Sequence, residues 1–240
     1  MLGIVVSLSW ELKTLTRQSI PLGSYLSIND NTLVALSGIG ARQARTAATL
    51  LVARGATALL SWGCAAALKD EIRAGSLLLP EGIIDTRGET LSVTIEWHHR
   101  LYQELGSRYP VRTEALVESA GLLKTPGEKQ LLARRTQAIA TDMESAAQAK
   151  VAREHRLPFI AVRAVLDSLS TPLPEKLMRS LDARGEISPK SFLQHIVLRP
   201  ADWSTLMTLW MQFSVARRTL TRTSPVVLGC SRSYLNSVAV

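Results

Sequence analysis

The chain has 240 residues, of which 46% are hydrophobic, 20% charged and 5% aromatic. That length fits one large α/β domain or two small ones and buries a substantial core without disulfides or metals; the composition excludes a disordered, collagen-like or disulfide-rich secreted chain. Lys and Arg number 28 against 20 Asp and Glu, a net charge of +8, which favours anionic partners (nucleic acid, phosphate ligands, an acidic membrane surface) without choosing among them. Cys64 and Cys230 lie far apart and no C-x-x-C or H-E-x-x-H spacing occurs, so no metal site is expected. The N-terminus MLGIVVSLSWELK lacks the basic segment and small-residue cleavage site of a signal peptide. No run of about 20 apolar residues exists, the best candidate, 47–68, being interrupted by Arg54. A cytoplasmic protein is the default expectation.

In chain order, LGIVVSL at 2–8 reads as a buried strand and Thr32 to Leu36 as another, ending in the turn-prone SGIG at 37–40. Ala41 to Arg54 has helical spacing and stops at Gly55; Thr57 to Trp62 is the next strand. SLLLPEGII at 76–84 reads as one strand with Pro80 at an edge or bulge. A helix over 96–107, a strand over 111–117, a helix over 128–135 and a short strand over 138–140 follow. The next helix, 142–155, has Thr141 or Asp142 as its N-cap, and PFIAVRAVL at 158–166 is a central, nearly all-apolar strand. Helices are expected at roughly 172–182, 190–198 and 202–220. Alternating strands and helices imply a mostly parallel sheet covered on both faces.

Four spots put polar or small residues at strand ends, where α/β sheets place their ligands. They are Glu11 after the first strand, the small-residue run Gly63-Cys64-Ala65-Ala66-Ala67, the Asp142-Met143-Glu144 junction, and Asp167 at the end of the most apolar strand, with Arg163 four residues earlier. A carboxyl group buried at a strand end favours its protonated form and can serve as a general acid. Taken singly, Glu11 and Glu144 equally suit solvated helix positions, and Asp142 and Asp167 suit caps. Arg163 is the exception: a cation inside an apolar strand needs a partner, so a polar site beneath it is expected. Cys64 has no histidine near it in sequence and is read as a packing residue rather than a nucleophile.

Taken together, LGIVVSLSWELKTL, SGIG-x-x-x-A, GCAAAL, ATDMESAA and PFIAVRAVLDS resemble the purine nucleoside phosphorylase superfamily over residues 2–170, nearest the methylthioadenosine/S-adenosylhomocysteine nucleosidases. The resemblance implies a single α/β domain over 1–222 with a central mixed, partly barrel-like sheet flanked by helices, a helical extension over 172–222 and a poorly ordered tail over 223–240. It also implies site residues. Glu11 would position the attacking water; Met143 and Glu144 would grip the ribose; Asp167 would protonate the purine at N7; Arg163 would lie near the water or phosphate pocket. Gly40 of SGIG, with Gly63, Cys64 and Ala65, would line the substrate. Glycosidic cleavage leaves an oxocarbenium-like sugar and a purine anion, which an acid at Asp167 and negative charge at Glu144 and Glu11 would stabilise. Two positions depart from the pattern: Cys64 stands where serine is usual, and Leu166 replaces the serine before the aspartate. The stretch 120–124 offers no aromatic residue to stack on the purine.

A narrower likeness, carried by WGCAAALKDEIRAGSLLLPEGIID, TPGEKQLLAR and the run from LPEKLMRSLDARGEISPK to ARRTL, is to hopanoid-associated phosphorylases. It implies adenine release from adenosylhopane, a purine nucleoside with a large apolar tail. Trp203, Leu206, Met207, Leu209, Trp210, Met211, Phe213 and Val215, followed by Arg217, Arg218 and Arg222, form a basic amphipathic helix. Such a helix suits peripheral contact at the inner face of the membrane, and equally suits packing on the sheet. The resemblance implies no cofactor, inorganic phosphate as an alternative acceptor to water, and a homo-oligomer. The basic residues are scattered and no recognition motif occurs, so no nucleic-acid partner is expected. The competing readings are a methylthioadenosine/S-adenosylhomocysteine nucleosidase and a nucleoside-binding member of the fold with weak catalysis.

Overall fold

A computed structural model describes residues 1–171 and 203–238. The runs LGIVV, TLVAL and FIAVRAVLD become β1 (Leu2–Val6), β3 (Thr32–Leu36) and β11 (Phe159–Asp167). Continuous apolar runs suit strands that bury both faces, and every residue of β1 and β3 is buried. The hub is β4 (Ala58–Ala67), ten residues long, which pairs in parallel with β1 and with β11 along their lengths. Beyond β3 the sheet ends in an antiparallel strand, β2 (Tyr25–Asn29). On its other side β4 meets β10 (Ala140–Asp142) antiparallel, followed by β9 (Leu116–Glu118), β6 (Gly82–Ile84) and β7 (Thr90–Ser92). Two-residue strands β5 (Leu77–Leu78) and β8 (Val111–Arg112) extend the sheet from β11. Among the described residues the result is one mixed eleven-stranded sheet flanked by helices, as the sequence implied.

Helices α2 (Ala41–Ala53) and α5 (Ser145–Glu154) pack on each other and on the sheet, whereas α3 (Ile95–Gly106) packs with the C-terminal helix (Trp203–Val238), which also covers β11. Two further helices carry site residues: α1 (Ser9–Leu12), a single turn directly after β1, and α4 (Pro126–Thr136), entered through a capping box in which Thr125 and Glu128 exchange bonds.

Several boundaries differ from the sequence reading. The run Gly63 to Ala67 is not a loop after the strand but the second half of β4, because β10 and β11 both pair with it. The single strands expected at 76–84 and 111–117 are each two: the chain breaks around Pro80, which has no N–H for a ladder, and around Thr113 to Ala115. Strand β10 lies two residues later than expected, and α5 begins at Ser145 rather than Asp142. Residues 223–238, expected as part of the tail, continue the last helix to Val238, where Tyr234 stacks on Trp97 of α3 at 5.4 Å and Ser231 Oγ accepts from the Trp97 indole at 3.3 Å. The helices expected at 172–182 and 190–198 lie outside the described residues.

Candidate active site

The polar centre lies around the second half of β4. Register sets Gly63 beside Arg163 of β11, and Ala66 between Asp167 of β11 and Thr141 of β10. A register shift between Val165 and Asp167 turns the end of β11. Glu11, Glu144, Arg163 and Asp167 are all buried here.

Glu11 reaches this centre because α1 is a single turn packed under β4. Its Oε2 accepts from the backbone N–H groups of Ser7 and Leu8, both at 3.0 Å, and its Oε1 from that of Cys64 at 2.8 Å. Glycine at position 63 is a steric requirement of this arrangement, since a Cβ there would lie 2.6 Å from Oε1. Burial raises the Glu11 pKa, opposed by the Arg163 guanidinium.

Arg163 has the partner that its place in an apolar strand demands. Its Nε donates to Asp142 Oδ2 at 2.9 Å, and its Nη atoms to Ser61 Oγ at 2.5 Å, Ser145 Oγ at 2.8 Å and the Val162 carbonyl at 3.0 Å. Asp142 is therefore an ion-pair partner as well as a cap: Oδ1 accepts from Ser145 N at 3.3 Å at the start of α5. Position 118 was not read from the sequence as polar machinery. Glu118 of β9 completes that helix start by accepting from Ala147 N at 3.0 Å, and burial lifts its pKa to about 7.

Glu144 bridges two chain segments. Oε1 accepts from Gly40 N at 2.7 Å and Oε2 from Met143 N at 3.1 Å. Gly40 is the last residue of SGIG and holds φ at +101°, a conformation that L side chains rarely adopt. Burial, with the neighbouring Asp142 charge, pushes the Glu144 pKa up to about 8. Ala65 is buried and Cys64 partly so; burial and the adjacent Glu11 push the Cys64 thiol well above its ordinary range, which disfavours a thiolate nucleophile.

At the end of β11, Asp167 is 4% exposed and pairs through Oδ2 with the ammonium of Lys129, which is 0% exposed. Burial raises the Asp167 pKa against the pull of Lys129. Lys129 was not singled out from sequence, where a lysine one turn into a helix reads as solvated.

The arrangement offers a protonatable acid at one end, two carboxylates held by backbone N–H groups, and a fixed internal guanidinium. A separate groove of about 500 Å³ between α3 and the C-terminal helix, lined by residues including Arg100, Arg108 and Cys230, contains none of these groups. Among the described residues, no three His, Cys, Asp or Glu side chains gather as a metal-holding group, and no helix is long and apolar enough to cross a membrane.

The same fold occurs in the futalosine hydrolase of Helicobacter pylori, with a TM-score of 0.72 at 14% identity over 95% of this chain and 97% of that one. It also occurs in the 5'-methylthioadenosine/S-adenosylhomocysteine nucleosidase of Helicobacter pylori, with a TM-score of 0.71 at 14% identity over 97% of each chain. A putative nucleosidase of that kind from Francisella philomiragia gives 0.67 at 16% identity over 96% of this chain and 98% of that one. No curated protein matches the chain by sequence. Residues 2–187 match the model of the phosphorylase superfamily. The chain therefore belongs to the phosphorylase superfamily.

Proposed function

We propose that the protein hydrolyses the N-glycosidic bond of a purine nucleoside that carries an apolar 5' substituent, of the adenosylhopane type. The observation that carries this reading is that buried carboxyl groups line the second half of β4: Glu11 accepts from the Cys64 N–H and Asp167 lies in register beside Ala66, with Glu144 near enough to Glu11 and Cys64 to act on them. In this reading Asp167, whose protonated form burial favours, gives its proton to a purine ring nitrogen as the C–N bond breaks and the bonding pair stays on the base. Glu144 holds the ribose hydroxyls. Water forms the new bond to the anomeric carbon and passes its proton to Glu11; a proton returned to Asp167 through solvent closes the cycle.

Water rather than phosphate is favoured because the anion-holding groups beside Glu11 and Glu144 are already engaged by carboxylates or protein oxygens, while Arg42 at the start of α2 is exposed. Arg163 is spent on Asp142, Ser61, Ser145 and the Val162 carbonyl. The Gly40 N–H after SGIG is taken by Glu144, and the Cys64 N–H by Glu11. Arg45, at the start of α2, pairs with Glu154 at 2.7 Å, both about half exposed. A phosphate dianion would meet negative charge at Glu11, the base in this reading.

The apolar substituent is supported by the neighbourhood of α1. Trp10, adjacent to Glu11, packs edge-on against Phe213 of the C-terminal helix at 5.0 Å. The same helix leaves Met207, Trp210, Met211 and Val215 exposed, with Arg217, Arg218 and Arg222 exposed after them. An apolar face bordered by arginines suits peripheral contact with an anionic membrane surface and would let a lipid-borne nucleoside reach the site.

The test is to incubate purified enzyme with methylthioadenosine, S-adenosylhomocysteine and a long-chain 5'-alkyl adenosine presented in anionic vesicles, with and without inorganic phosphate. Free adenine and a reducing sugar, fastest from the alkyl substrate and independent of phosphate, are expected. A phosphate requirement with a sugar 1-phosphate product overturns hydrolysis; preference for methylthioadenosine overturns the apolar substrate.

A further inference from the structure

Helix α4 is tied down in an unusual way: its one fully buried side chain is that of a lysine. Lys129 has three ammonium protons and three acceptors. It donates to Asp167 Oδ2, to the Ser168 carbonyl at 2.8 Å and to the Thr171 carbonyl at 3.3 Å. No donor is left for a ligand. Removing an ammonium from water is unfavourable unless its charge is matched and its protons are all bonded. Every part of that requirement is met here by the end of β11 and the turn after it. The same turn is held from the other side by Gln212 of the C-terminal helix, which donates to Thr171 Oγ1 at 2.9 Å.

We propose that Lys129 is the positioning residue of the leaving-group acid, fixing the Asp167 carboxyl through Oδ2 so that Oδ1 faces the purine, and acting as counter-ion to the carboxylate formed when Asp167 gives up its proton. This rests on the hydrolytic reading above and adds to it a reason for the proton to leave. The structure pairs the ammonium with the Asp167 carboxylate, the state in which the charge of Lys129 is matched; the form that acts as acid is the protonated pair, an ammonium beside a carboxylic acid. The proton moves from Asp167 to the purine nitrogen, the glycosidic electron pair stays on the base, and an ammonium–carboxylate pair remains. Without Lys129 the same step creates a lone carboxylate in a buried site, which is unfavourable. The cation thus trades some protonated fraction of Asp167 at high pH for an easier transfer.

The sign of the effect can be measured. Removing the cation raises the Asp167 pKa, so Lys129→Met should shift the alkaline limb of kcat to higher pH by at least about one unit, while the plateau falls about tenfold or more and KM changes little. Lys129→Met/Asp167→Asn should be no slower than Asp167→Asn alone, because Lys129 acts through Asp167. A direct titration of the Asp167 side-chain carboxyl by ¹³C NMR, assigned by its loss in Asp167→Asn, should move upward in Lys129→Met whether or not a nucleoside is turned over. Should the Met variant fail to fold, Lys129→Gln keeps a donor to the carbonyls without the charge and is held to the same expectations. An unmoved carboxyl titration, an unmoved alkaline limb or a double variant markedly slower than Asp167→Asn overturns the proposal. Absence of purine release by the wild type with an upward-moving carboxyl titration would instead overturn the hydrolytic reading and leave the pairing role of Lys129 standing.

Discussion

Adding one methyl group at Gly63 tests how firmly Glu11 is held. A Cβ at this position lies 2.6 Å from Glu11 Oε1 and 2.9 Å from Cδ, closer than real Cβ atoms approach, and 3.0 Å from Oε2, so something must move. The strand cannot yield cheaply, because Gly63 is paired with Arg163 of β11 within the hub of the sheet. Glu11 must therefore give way, and it is anchored by Ser7 N, Leu8 N and Cys64 N. Losing the Cys64 bond, and straining the other two, leaves a buried carboxylate short of donors, at about 2–4 kcal/mol. For a chain of this length that corresponds to a fall of roughly 5–15 °C in midpoint temperature. Thermal and urea unfolding of Gly63→Ala against the wild type measure it, and turnover should fall together with stability. The control is the same substitution in a Glu11→Ala background, where the added methyl meets no carboxylate and should cost less than ~0.5 kcal/mol. The reasoning is refuted if Gly63→Ala is as stable as the parent, or if it costs as much without Glu11 as with it.

Three further outcomes follow from the same centre. Arg163→Met leaves Asp142 buried without its cation and should lose about 3–5 kcal/mol in urea unfolding, part of which the added change Asp142→Asn should restore. Glu144 carries a native pKa of about 8, raised from the unfolded value of 4.5; its contribution to stability is complete below pH 4.5 and is lost as pH rises through 8. Between pH 5 and 8 the Glu144→Gln variant should therefore lose about 1–3 kcal/mol less stability than the wild type, and identical slopes would contradict a buried, proton-binding carboxyl. Asp167→Asn removes the acid and also leaves Lys129 buried without its counter-ion, so purine release should drop ~10²–10⁴-fold and urea unfolding should show a loss of stability; turnover near that of the wild type by the folded variant would mean that the leaving group is activated elsewhere.

The parts of the fold that were legible in the sequence are those where a strand is buried on both faces. LGIVV, TLVAL and FIAVRAVLD announce themselves because such strands need continuous apolar runs. The second half of β4 was not legible, because Gly-Cys-Ala-Ala-Ala has no strand preference of its own. It is a strand only because β10 and β11 both pair with it, a tertiary fact that overrides local propensity. Strands β2 and β7 were missed for the opposite reason: they lie at the ends of the sheet, partly exposed, and carry no apolar run. The continuation of the last helix over 223–238 was not legible because one of its anchors, Tyr234, finds its partner in Trp97, more than a hundred residues away.

For the site, the rule that worked was electrostatic. An arginine inside an apolar strand demanded a partner, and Asp142 with Ser61 and Ser145 supply it. Applied to Lys129 the same rule gave no warning, since TPGEKQLLAR is polar throughout and a lysine there has every reason to face water. What buries it is a set of acceptors that a sequence does not display: one carboxylate distant in the chain and two main-chain carbonyls exposed by a turn. Side chains that recruit side chains leave a trace in residue types, whereas those that recruit backbone depend on where the chain happens to bend. The carboxylates Glu11 and Glu144 show both halves of this: their identities stand out, but what fixes them are the N–H groups of Ser7, Leu8, Cys64, Gly40 and Met143, which any residue other than proline could have provided. The specific information at those positions is steric, a glycine where Glu11 presses on the strand and another where φ is positive, and it is there that substitutions separate the carboxylate network from mere burial.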